Sequence, residues 1–423
     1  MPPKNRPDHN IASGPIHSCQ VCGSEDLELV IDLGHQPLCD TLLTKEQLQL
    51  PETSYPLRQL WCKSCTLSQL DYCVPGEVVY HSNYPYKSGV TAELVEYQDQ
   101  LAADIIKAVD LQKNQLVVDM GSNDGTLLSG FQKRGLKVLG VEPTNIAKLA
   151  NEAGIETLQT PFHQKVAQQI VADYGKAQLV TATNVFAHMA NLRDIMEGLE
   201  ILVADKGYFV FENHYLTAIM EKLQFDSIYH EHLRSYSLLS IVKLFEYYDF
   251  TVIDAQKVSR YGGNIRCIVA KGKNHTAQAS VGEMIKEEEK LGFKDPAYYK
   301  LFQKKSIALK NNLLSLIVDL NRKGHSVVGN SCPGRSSTLL NYAGIGIDLM
   351  PYIAEQPASL KLGKYLPGKH IPIVNNQRLF DEQPDYVVLL AWHYGESITK
   401  QLRARGLKSK LIMPMPEVKI LEV

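Results

Sequence analysis

The segment 225–232 concentrates ionisable side chains in one short stretch of the chain. It reads Phe-Asp-Ser-Ile-Tyr-His-Glu-His, so that His230 and His232 flank Glu231. Histidine titrates near neutral pH and can therefore take up a proton without a large change in its pKa. A single histidine is more often structural than catalytic, and His230 fits that interpretation. Spacing alone leaves a catalytic and a structural cluster equally open.

Another histidine, His188, ends the motif N-V-F-A-H at 184–188. This motif follows a predicted strand, and the histidine run follows the predicted strand 208–212. Because ligands bind beyond the carboxyl ends of strands in open α/β sheets, both motifs should face one crevice. The sequence therefore predicts that His188, and Asn184 at the start of the motif, lie at the same site as the histidine run.

Two pairs of cysteines have the spacing of a metal site: Cys19-x-x-Cys22 and Cys62-x-x-Cys65. Two such pairs supply the four thiolates of a tetrahedral structural zinc. The gap between the pairs is longer than in common zinc ribbons. The surrounding segment has only short apolar runs, and metal binding can supply the folding energy that such a module lacks. Four thiolates leave no open position, so the predicted zinc is structural.

The segment 116–126 combines an apolar strand, a glycine-containing loop and the start of a helix. The carboxylate of Glu142 follows the next strand about twenty residues further on, where it can accept hydrogen bonds from both hydroxyls of a ribose. A nicotinamide dinucleotide would favour G-x-G-x-x-G, whereas this loop reads G-S-N-D-G. S-adenosylmethionine has no pyrophosphate, so the missing glycine fits it. The predicted cofactor-binding residues are Asp119, Gly121, Ser122, Asn123, Asp124, Glu142 and Asn184.

The elements that must position these residues alternate between helix and strand from about residue 97. The pattern predicts an α/β fold with a central doubly wound sheet. We expect a loop-rich zinc-binding module over 1–95, the S-adenosylmethionine-binding domain over 96–275 and a helical linker over 276–322. A second, Rossmann-like α/β domain over 323–423 completes the chain.

Composition excludes some classes of partner. The formal net charge is −2 and 44% of the residues are hydrophobic, so the chain lacks the basic character of nucleic-acid-binding proteins. No apolar run approaches 18 residues and the first ten residues are polar, which predicts no membrane partner and a cytoplasmic location. Six of the eight cysteines precede residue 95 and should be ligands or buried thiols. A monomer and a homodimer both remain open.

The whole chain resembles the three-domain sugar C-methyltransferases, which methylate carbon 3 of a nucleotide-linked 4-keto-6-deoxyhexose. The resemblance rests on the two cysteine pairs, Y-P-Y at 84–86, D-x-G-S-N-D-G-T-L-L at 119–128, F-D-x-I-Y-H-E-H at 225–232 and G-G-x-I-R at 262–266. Further matches are S-S-T-L-L-N-Y at 336–342, K-x-G-K-Y-L-P-G at 361–368, I-P-I at 371–373 and L-A-W-H at 390–393.

This resemblance implies a catalytic set and a substrate. His232 would be the base that removes a proton beside the ketone, and Tyr229, Glu231, His188 and one of Tyr84 and Tyr86 would support it. The C-terminal domain would bind the sugar nucleotide. The candidates for substrate contacts are Arg335, Lys361, Lys364 and Asn264; solvated surface charges explain the cationic ones equally well.

Two positions depart from the family pattern. Tyr261 stands before Gly262-Gly263 where a histidine is expected, and the loop 329–335 around Gly334 replaces the family's G-A-x-A-K-G. Because of these two departures, the sequence does not identify the particular sugar nucleotide. Two other functions are compatible with the sequence: a methyltransferase of the same fold acting on oxygen or nitrogen, and a non-catalytic sugar-nucleotide-binding protein.

Overall fold

The computed structural model describes residues 6–7, 11, 13–80, 87–90 and 92–421. The N-terminal part contains a four-stranded antiparallel sheet in the order β11-β4-β3-β2 and a small pair, β1-β5. This amount of regular structure differs from the expected loop-rich module. Its elements are β1 (Gly14–Pro15), β2 (Leu27–Gln36), β3 (Tyr55–Cys62), β4 (Ser68–Leu70), β5 (Tyr72–Cys73) and α1 (Gly76–Val79).

The central part contains a seven-stranded sheet in the order β12-β13-β10-β9-β6-β7-β8. The five strands from β10 to β8 run parallel. At one edge β13 pairs antiparallel with β10, and β12 pairs antiparallel with β13. The elements begin with α2 (Ala92–Ala108), β6 (Leu116–Met120), α3 (Thr126–Gln132), β7 (Lys137–Val141), α4 (Ala147–Glu152), β8 (Thr157–Leu158), α5 (Gln164–Tyr174), β9 (Ala177–Thr183), α6 (Leu192–Leu202), β10 (Val203–His214), α7 (Leu216–Glu221), β11 (Arg234–Ser235), α8 (Leu238–Glu246), β12 (Phe250–Val258) and β13 (Asn264–Lys271).

The central sheet follows from the apolar runs of its strands. All five residues of β6 are buried, because helices cover both faces of the sheet. The chain moves from β6 to β7 on one side and returns to β9 on the other. This reversal opens a crevice beyond the carboxyl ends of the strands, where ligands of such sheets bind. The predicted α/β class and doubly wound central sheet are confirmed.

Five helices and a second sheet form the C-terminal part. The six strands lie in the order β16-β15-β14-β17-β18-β19, with only β19 antiparallel. The elements are α9 (Ala279–Leu291), α10 (Pro296–Arg322), β14 (Val327–Asn330), α11 (Arg335–Ala343), β15 (Ile353–Glu355), β16 (Ile373–Asn375), α12 (Gln377–Glu382), β17 (Tyr386–Leu389), α13 (Gly395–Ala404), β18 (Lys410–Met413) and β19 (Lys419–Leu421).

The three parts are interleaved rather than strung along the chain. The strand β11 lies within the segment 96–275 but pairs with β4, and so completes the N-terminal sheet. The helix α10, expected as a linker, packs in a core shared with the N-terminal sheet and the C-terminal domain. Its Tyr299 stacks on Trp61 with ring centroids 4.4 Å apart. Among the described residues, no helix is both long and apolar enough to cross a membrane.

Candidate active site

A cavity of about 1410 Å³ lies where the three parts meet. The carboxyl ends of the central strands line one side, and those of β14 and β15 line the opposite side. The N-terminal part contributes Asp40 and Tyr80. One enclosed space is therefore shared by two α/β sheets, which can hold two ligands next to each other.

The loop after β6 forms a close-fitting cradle. Gly121 has a φ of 69°, and a Cβ added there would lie 2.5 Å from Val185 Cγ1, so only glycine fits. Glu142 is buried and accepts hydrogen bonds from the amides of Asn123 (3.0 Å) and Thr144 (2.9 Å). A carboxylate has about four acceptor positions, so two remain for a pair of ribose hydroxyls. This cradle fits the adenosyl group of S-adenosylmethionine.

Other predicted cofactor residues are placed around the same loop. Burial raises the pKa of Asp119 to about 7, and Glu142 adds to the rise, although the Thr181 hydroxyl donates to it at 2.6 Å. Ser122 Oγ is buried and has no hydrogen-bond partner among the described residues. This oxygen lies against Gly140 of β7, on the buried side of the loop.

Asn123 and Asp124 use their side chains to fasten the segment 87–90 over the loop. Asn123 Oδ1 accepts from the Ser88 amide at 2.8 Å, and Asp124 Oδ2 accepts from the Gly89 amide at 2.7 Å. Asp124 does not line the cavity. Its observed role is to hold the segment 87–90, and its contact with the cofactor stays a prediction.

Asn184 turns the chain at the end of β9. Its φ is 58°, its amide donates to Glu212 O at 2.7 Å, and its Oδ1 accepts from Asn264 Nδ2 at 2.8 Å. Asn184 lines the cavity but Asn264 does not. Asn264 holds Asn184 through its Nδ2, while its Oδ1 is buried without a partner among the described residues, so its contact with the substrate stays a prediction.

His232 lies in the cavity wall, and one of its two ring nitrogens already makes a hydrogen bond within the protein. Its Nδ1 is 2.6 Å from the carbonyl oxygen of Ser227. Because a carbonyl only accepts hydrogen bonds, Nδ1 carries the proton and Nε2 keeps a free lone pair. Three aromatic rings surround it, with centroid distances of 3.9 Å to Tyr229, 4.8 Å to His188 and 4.6 Å to His214.

Burial sets the protonation of this cluster. It lowers the pKa of His232 well below the usual value, and the neighbouring His214 and His188 lower it further. It also lowers the pKa of His188 to about 4 and that of His214 to about 3. Burial raises the pKa of Tyr229, so this phenol keeps its proton. At neutral pH the site holds neutral imidazoles that can accept a proton and a hydroxyl that can donate a hydrogen bond.

Glu231 points towards the N-terminal part. Its Oε1 is 3.5 Å from the thiol of Cys39, and the neighbouring Asp40 accepts from Lys361 Nζ at 3.0 Å. Lys361 also donates to Cys332 O at 2.9 Å. His230 faces the N-terminal sheet, with Nε2 3.2 Å from Pro56 O. Both histidines line the cavity, but His230 packs against Tyr55 of the N-terminal sheet, whereas His232 packs against Tyr229, His188 and His214.

Arg335 begins α11 and is held in a buried network. Its Nε lies 3.7 Å from Asp226 Oδ2, its Nη2 donates to Gln224 Oε1 at 3.2 Å, and its Nη1 is 3.3 Å from His393 Nδ1. Arg335 and Lys361 line the cavity, but Lys364 does not. The backbone of Lys364 is engaged in the turn that leads to β16, and its contact with the substrate stays a prediction.

The residue that departs from the family pattern, Tyr261, also reaches the cavity. Its φ is 55°, and its ring lies 6.4 Å from that of His214 and 6.5 Å from that of Tyr394. Sequence reasoning missed His214, because the predicted strand ended at Glu212 and left the two residues that follow unassigned. The continuation of β10 through His214 is what brings this ring beside His232.

Arg234 connects the cysteine-rich module with the histidine site. Its Nη1 donates to Gln20 Oε1 at 2.7 Å, and its Nη2 donates to Phe186 O at 3.3 Å and to Met189 O. Gln20 lies between the first two cysteines, and the two carbonyls flank His188. A buried cation thus fixes the His188 loop to the metal module. No local pattern indicated this role.

The four predicted zinc ligands converge. Cys19 Sγ is 3.4 Å from Cys65 Sγ, Cys22 Sγ is 3.5 Å from Cys62 Sγ, and all four sulfurs lie within 4.8 Å of one another. A tetrahedral zinc with bonds of about 2.3 Å places its sulfurs about 3.8 Å apart. The donor set therefore fits one zinc ion. The predicted Tyr84 and Tyr86 lie outside the described residues.

Comparison with known proteins covers the same three parts. The chain matches family models for a zinc binding domain (19–80), a methyltransferase domain (94–255) and a C-methyltransferase C-terminal domain (259–416). It is 31% identical over 412 residues to C-methyltransferase NovU of Streptomyces niveus, covering 96% of this chain and 97% of that protein. A ubiquinone biosynthesis O-methyltransferase of Acinetobacter baylyi is 29% identical over 103 residues, 22% of this chain and 42% of that protein.

Among solved structures, the 1,6-didemethyltoxoflavin-N1-methyltransferase of Burkholderia thailandensis with bound S-adenosylhomocysteine is 15% identical. The structural match covers 51% of this chain and 96% of the other chain, with a TM-score of 0.35. The magnesium protoporphyrin IX methyltransferase of Synechocystis with bound S-adenosylmethionine is also 15% identical, with a TM-score of 0.33, and covers 42% of this chain and 79% of its own.

Proposed function

This chain belongs to the C-methyltransferase family, and we propose that it methylates carbon 3 of a nucleotide-linked 4-keto-6-deoxy sugar. It is an S-adenosylmethionine-dependent C-methyltransferase with an N-terminal zinc-binding domain. The observation that carries the proposal is His232, which lines the cavity and whose Nδ1 is held by Ser227 O, so that Nε2 is the nitrogen with the lone pair.

A carbon beside a ketone becomes a nucleophile when its proton is removed. The neutral His232 Nε2 takes this proton, and the electron pair of the C–H bond forms an enolate whose charge develops on the keto oxygen. Tyr229, which keeps its proton, is a hydrogen-bond donor for that oxygen, and His188 is a second candidate. Each such donor is worth about 3 kcal/mol in a water-excluded site.

S-adenosylmethionine supplies an electrophilic methyl group when it is bound. Glu142 would hold the ribose of the cofactor. Because Gly121 has no side chain, the backbone of its loop could approach the cofactor closely. The enolate carbon is the nucleophile, and the proton that it has lost remains on His232 until it leaves for solvent. Zinc takes no part in these steps, since four thiolates complete its coordination.

The substrate class is supported by the charges opposite the cofactor cradle. Arg335 and Lys361 line the C-terminal side of the cavity, and guanidinium and ammonium groups are the usual partners of a diphosphate. Glu231, close to Cys39 and Asp40, is placed to hold a sugar hydroxyl or to orient His232.

The test is a reaction with methyl-¹³C S-adenosylmethionine and nucleotide-linked 4-keto-6-deoxyhexoses in deuterated water. We expect a new carbon-bound methyl signal at carbon 3, with solvent deuterium at that carbon in the unreacted sugar. A reaction without the protein is the control for non-enzymatic exchange. A methoxy signal would contradict the proposal in favour of O-methylation, and a methyl group at carbon 5, the other neighbour of the ketone, would contradict the assigned position.

A further inference from the structure

Arg234 is a buried cation without a carboxylate partner. The residue is only 1% exposed, and the acceptors of its guanidinium group are neutral oxygens of Gln20, Phe186 and Met189. Within the described part of the chain, no ion pair includes Arg234. Because a charge taken out of water costs free energy unless an opposite charge lies nearby, buried cations are normally paired. The negative charge that balances Arg234 has to come from another kind of group.

The four-cysteine cluster supplies such a charge when zinc is bound, since four thiolates around one Zn²⁺ form a dianion. Gln20, which accepts from Arg234 Nη1 at 2.7 Å, directly follows Cys19 in the chain. Burial raises the pKa of Tyr236, the charge of Arg234 lowers it, and negative charge on Cys19 and Cys65 raises it again. Tyr236 is therefore within electrostatic range of both the guanidinium and the cluster.

The other side of Arg234 holds the loop that carries His188. Its Nη2 donates to Phe186 O and Met189 O, which lie two residues before and one residue after His188. The ring of His188 lies 4.8 Å from that of His232, measured between centroids. One guanidinium group thus contacts the metal module on one side and fixes an active-site loop on the other.

We propose that Arg234 is a positioning residue for His188, and that the negative charge of the zinc–thiolate cluster keeps its guanidinium buried where it holds the His188 loop. This inference rests on the proposed function, in which His188 is a hydrogen-bond donor for the enolate oxygen. The charge and the shape of Arg234 have separate tasks. The charge is balanced by the cluster, whereas the planar group with its several donors reaches acceptors on both sides.

The role of the charge is tested by the zinc affinity of the full-length protein, measured in competition with a chromophoric chelator. Arg234→Gln should weaken zinc binding by about 10- to 100-fold, as the loss of an outer-shell partner of a metal site does. Arg234→Lys keeps the charge and should stay within about threefold of the wild-type affinity. Arg58→Gln is the matched control, because this arginine of the same N-terminal sheet already pairs with Asp71 at 2.7 Å. It should bind zinc like the wild type.

The positioning role is tested by a double-mutant cycle on kcat with the zinc-loaded protein. Arg234→Lys should lower kcat by about tenfold, because one ammonium group cannot reach all the acceptors of the guanidinium, while the affinity for S-adenosylhomocysteine stays within about twofold. In the His188→Gln background the same substitution should have little further effect, since the side chain that Arg234 positions is already absent. A general loss of structure would instead lower kcat by the same factor in both backgrounds.

The outcomes separate the two roles of Arg234 from the proposed function. Wild-type zinc affinity in Arg234→Gln, or a loss of about tenfold or more in Arg234→Lys, overturns the balance of charge. Additive effects of Arg234→Lys and His188→Gln on kcat overturn the positioning role. Arg234→Lys keeps both roles testable if Arg234→Gln fails to fold. If the wild-type protein methylates no 4-keto sugar nucleotide, the proposed function is refuted, whereas the zinc affinities still decide the role of the charge.

Discussion

The two α/β sheets that face the cavity share one architecture and differ in charge. In both, a buried parallel strand runs into a loop and a helix, and a glutamate at the end of the neighbouring strand accepts an amide hydrogen bond from that loop. The central sheet surrounds its loop with carboxylates, at Asp119 and Glu142. The C-terminal sheet places Arg335 and Lys361 near its loop. Similar backbone geometry can therefore serve a cationic sulfonium on one side and an anionic diphosphate on the other.

On the proposed function, the shared loop geometry would bind the nucleoside part of each ligand, and the nearby charges would distinguish a sulfonium from a diphosphate. His232 lies between the two ends, on a segment that belongs to neither strand edge. Its ring is held by Ser227 O and surrounded by the rings of Tyr229, His188 and His214. The chemistry is thus placed where the two ligands must meet.

The largest expected effect on kcat/KM is that of replacing His232. His232→Ala should lower kcat/KM by about 10³-fold or more, because general base catalysis contributes about 10²–10⁴-fold and the enolate cannot form without it. The affinities for S-adenosylhomocysteine and for a nucleoside diphosphate should remain within about twofold. Initial rates and calorimetry measure these quantities.

His230→Asn is the matched control for this prediction, since His230 contacts the N-terminal sheet at Pro56 O rather than the cavity centre. It should change kcat/KM by much less than His232→Ala. The pH profile is a second check: because burial lowers the pKa of His232 well below its usual value, the neutral base form dominates down to pH 6. A rate that falls through an apparent pKa near 6.5 would contradict this account of the base.

The zinc module should stabilise the central sheet. Its four cysteines lie in the same hydrophobic core as residues of the central domain, and Arg234 links Gln20 to the His188 loop. Cys62→Ser should abolish stoichiometric zinc binding and lower the melting temperature by several degrees, because the metal supplies folding free energy. Metal analysis and thermal unfolding measure the two effects.

Cys73→Ser provides the control in the same module, because Cys73 is buried but not part of the four-sulfur cluster. It should retain one zinc ion per chain. Full zinc content in Cys62→Ser would show that the cluster is not the metal site.

The opposite charges of the two sheets predict opposite binding defects. Arg335→Lys keeps a positive charge but loses the planar guanidinium group, which can donate two parallel hydrogen bonds to a phosphate. The affinity for a nucleoside diphosphate should therefore fall about tenfold, while the affinity for S-adenosylhomocysteine is unchanged. Glu142→Gln should do the reverse, because a neutral amide cannot accept from two ribose hydroxyls and two backbone amides at once. Calorimetry with each ligand measures both.

Arg378→Lys is a suitable control, since this arginine lies on α12 and pairs with Glu382 near the surface. It should leave both affinities unchanged. If Arg335→Lys and Glu142→Gln weakened both ligands equally, the division of the cavity into two charged ends would be wrong.

The difference between what sequence could and could not predict has physical causes. The apolar strand predicted at the start of 116–126 forms β6, because a run of apolar residues buried on both faces is a local signal. The N-terminal sheet was missed, since β2 and β3 pair with register shifts near Leu29 and Asp32 that break the alternation of side chains. The strand β11 is only two residues long and pairs far along the chain, so no local pattern predicts it.

The candidate site divides in the same way. Cys19, Cys22, Cys62 and Cys65 were identified by spacing, and the structure brings their sulfurs together. Asn264 and Lys364 were chosen as polar residues in matching motifs, but motif membership does not tell which way a side chain points. Gln224 and Asp226 hold Arg335 from one distant segment and His393 from another, and only the tertiary structure shows them together.

The smallest predicted effect concerns the charge of the cofactor itself. Burial raises the pKa of Asp119 to about 7, so this carboxylate is ionised above pH 7 and gains a proton below it. Loss of its charge removes an attraction for the sulfonium, so S-adenosylmethionine should bind a few-fold more weakly at pH 6 than at pH 8. S-adenosylhomocysteine lacks the sulfonium charge and should show a smaller change over the same range. Asp119→Asn should remove the pH dependence for S-adenosylmethionine, and an unchanged dependence in that variant would assign the titration to another group at the central sheet.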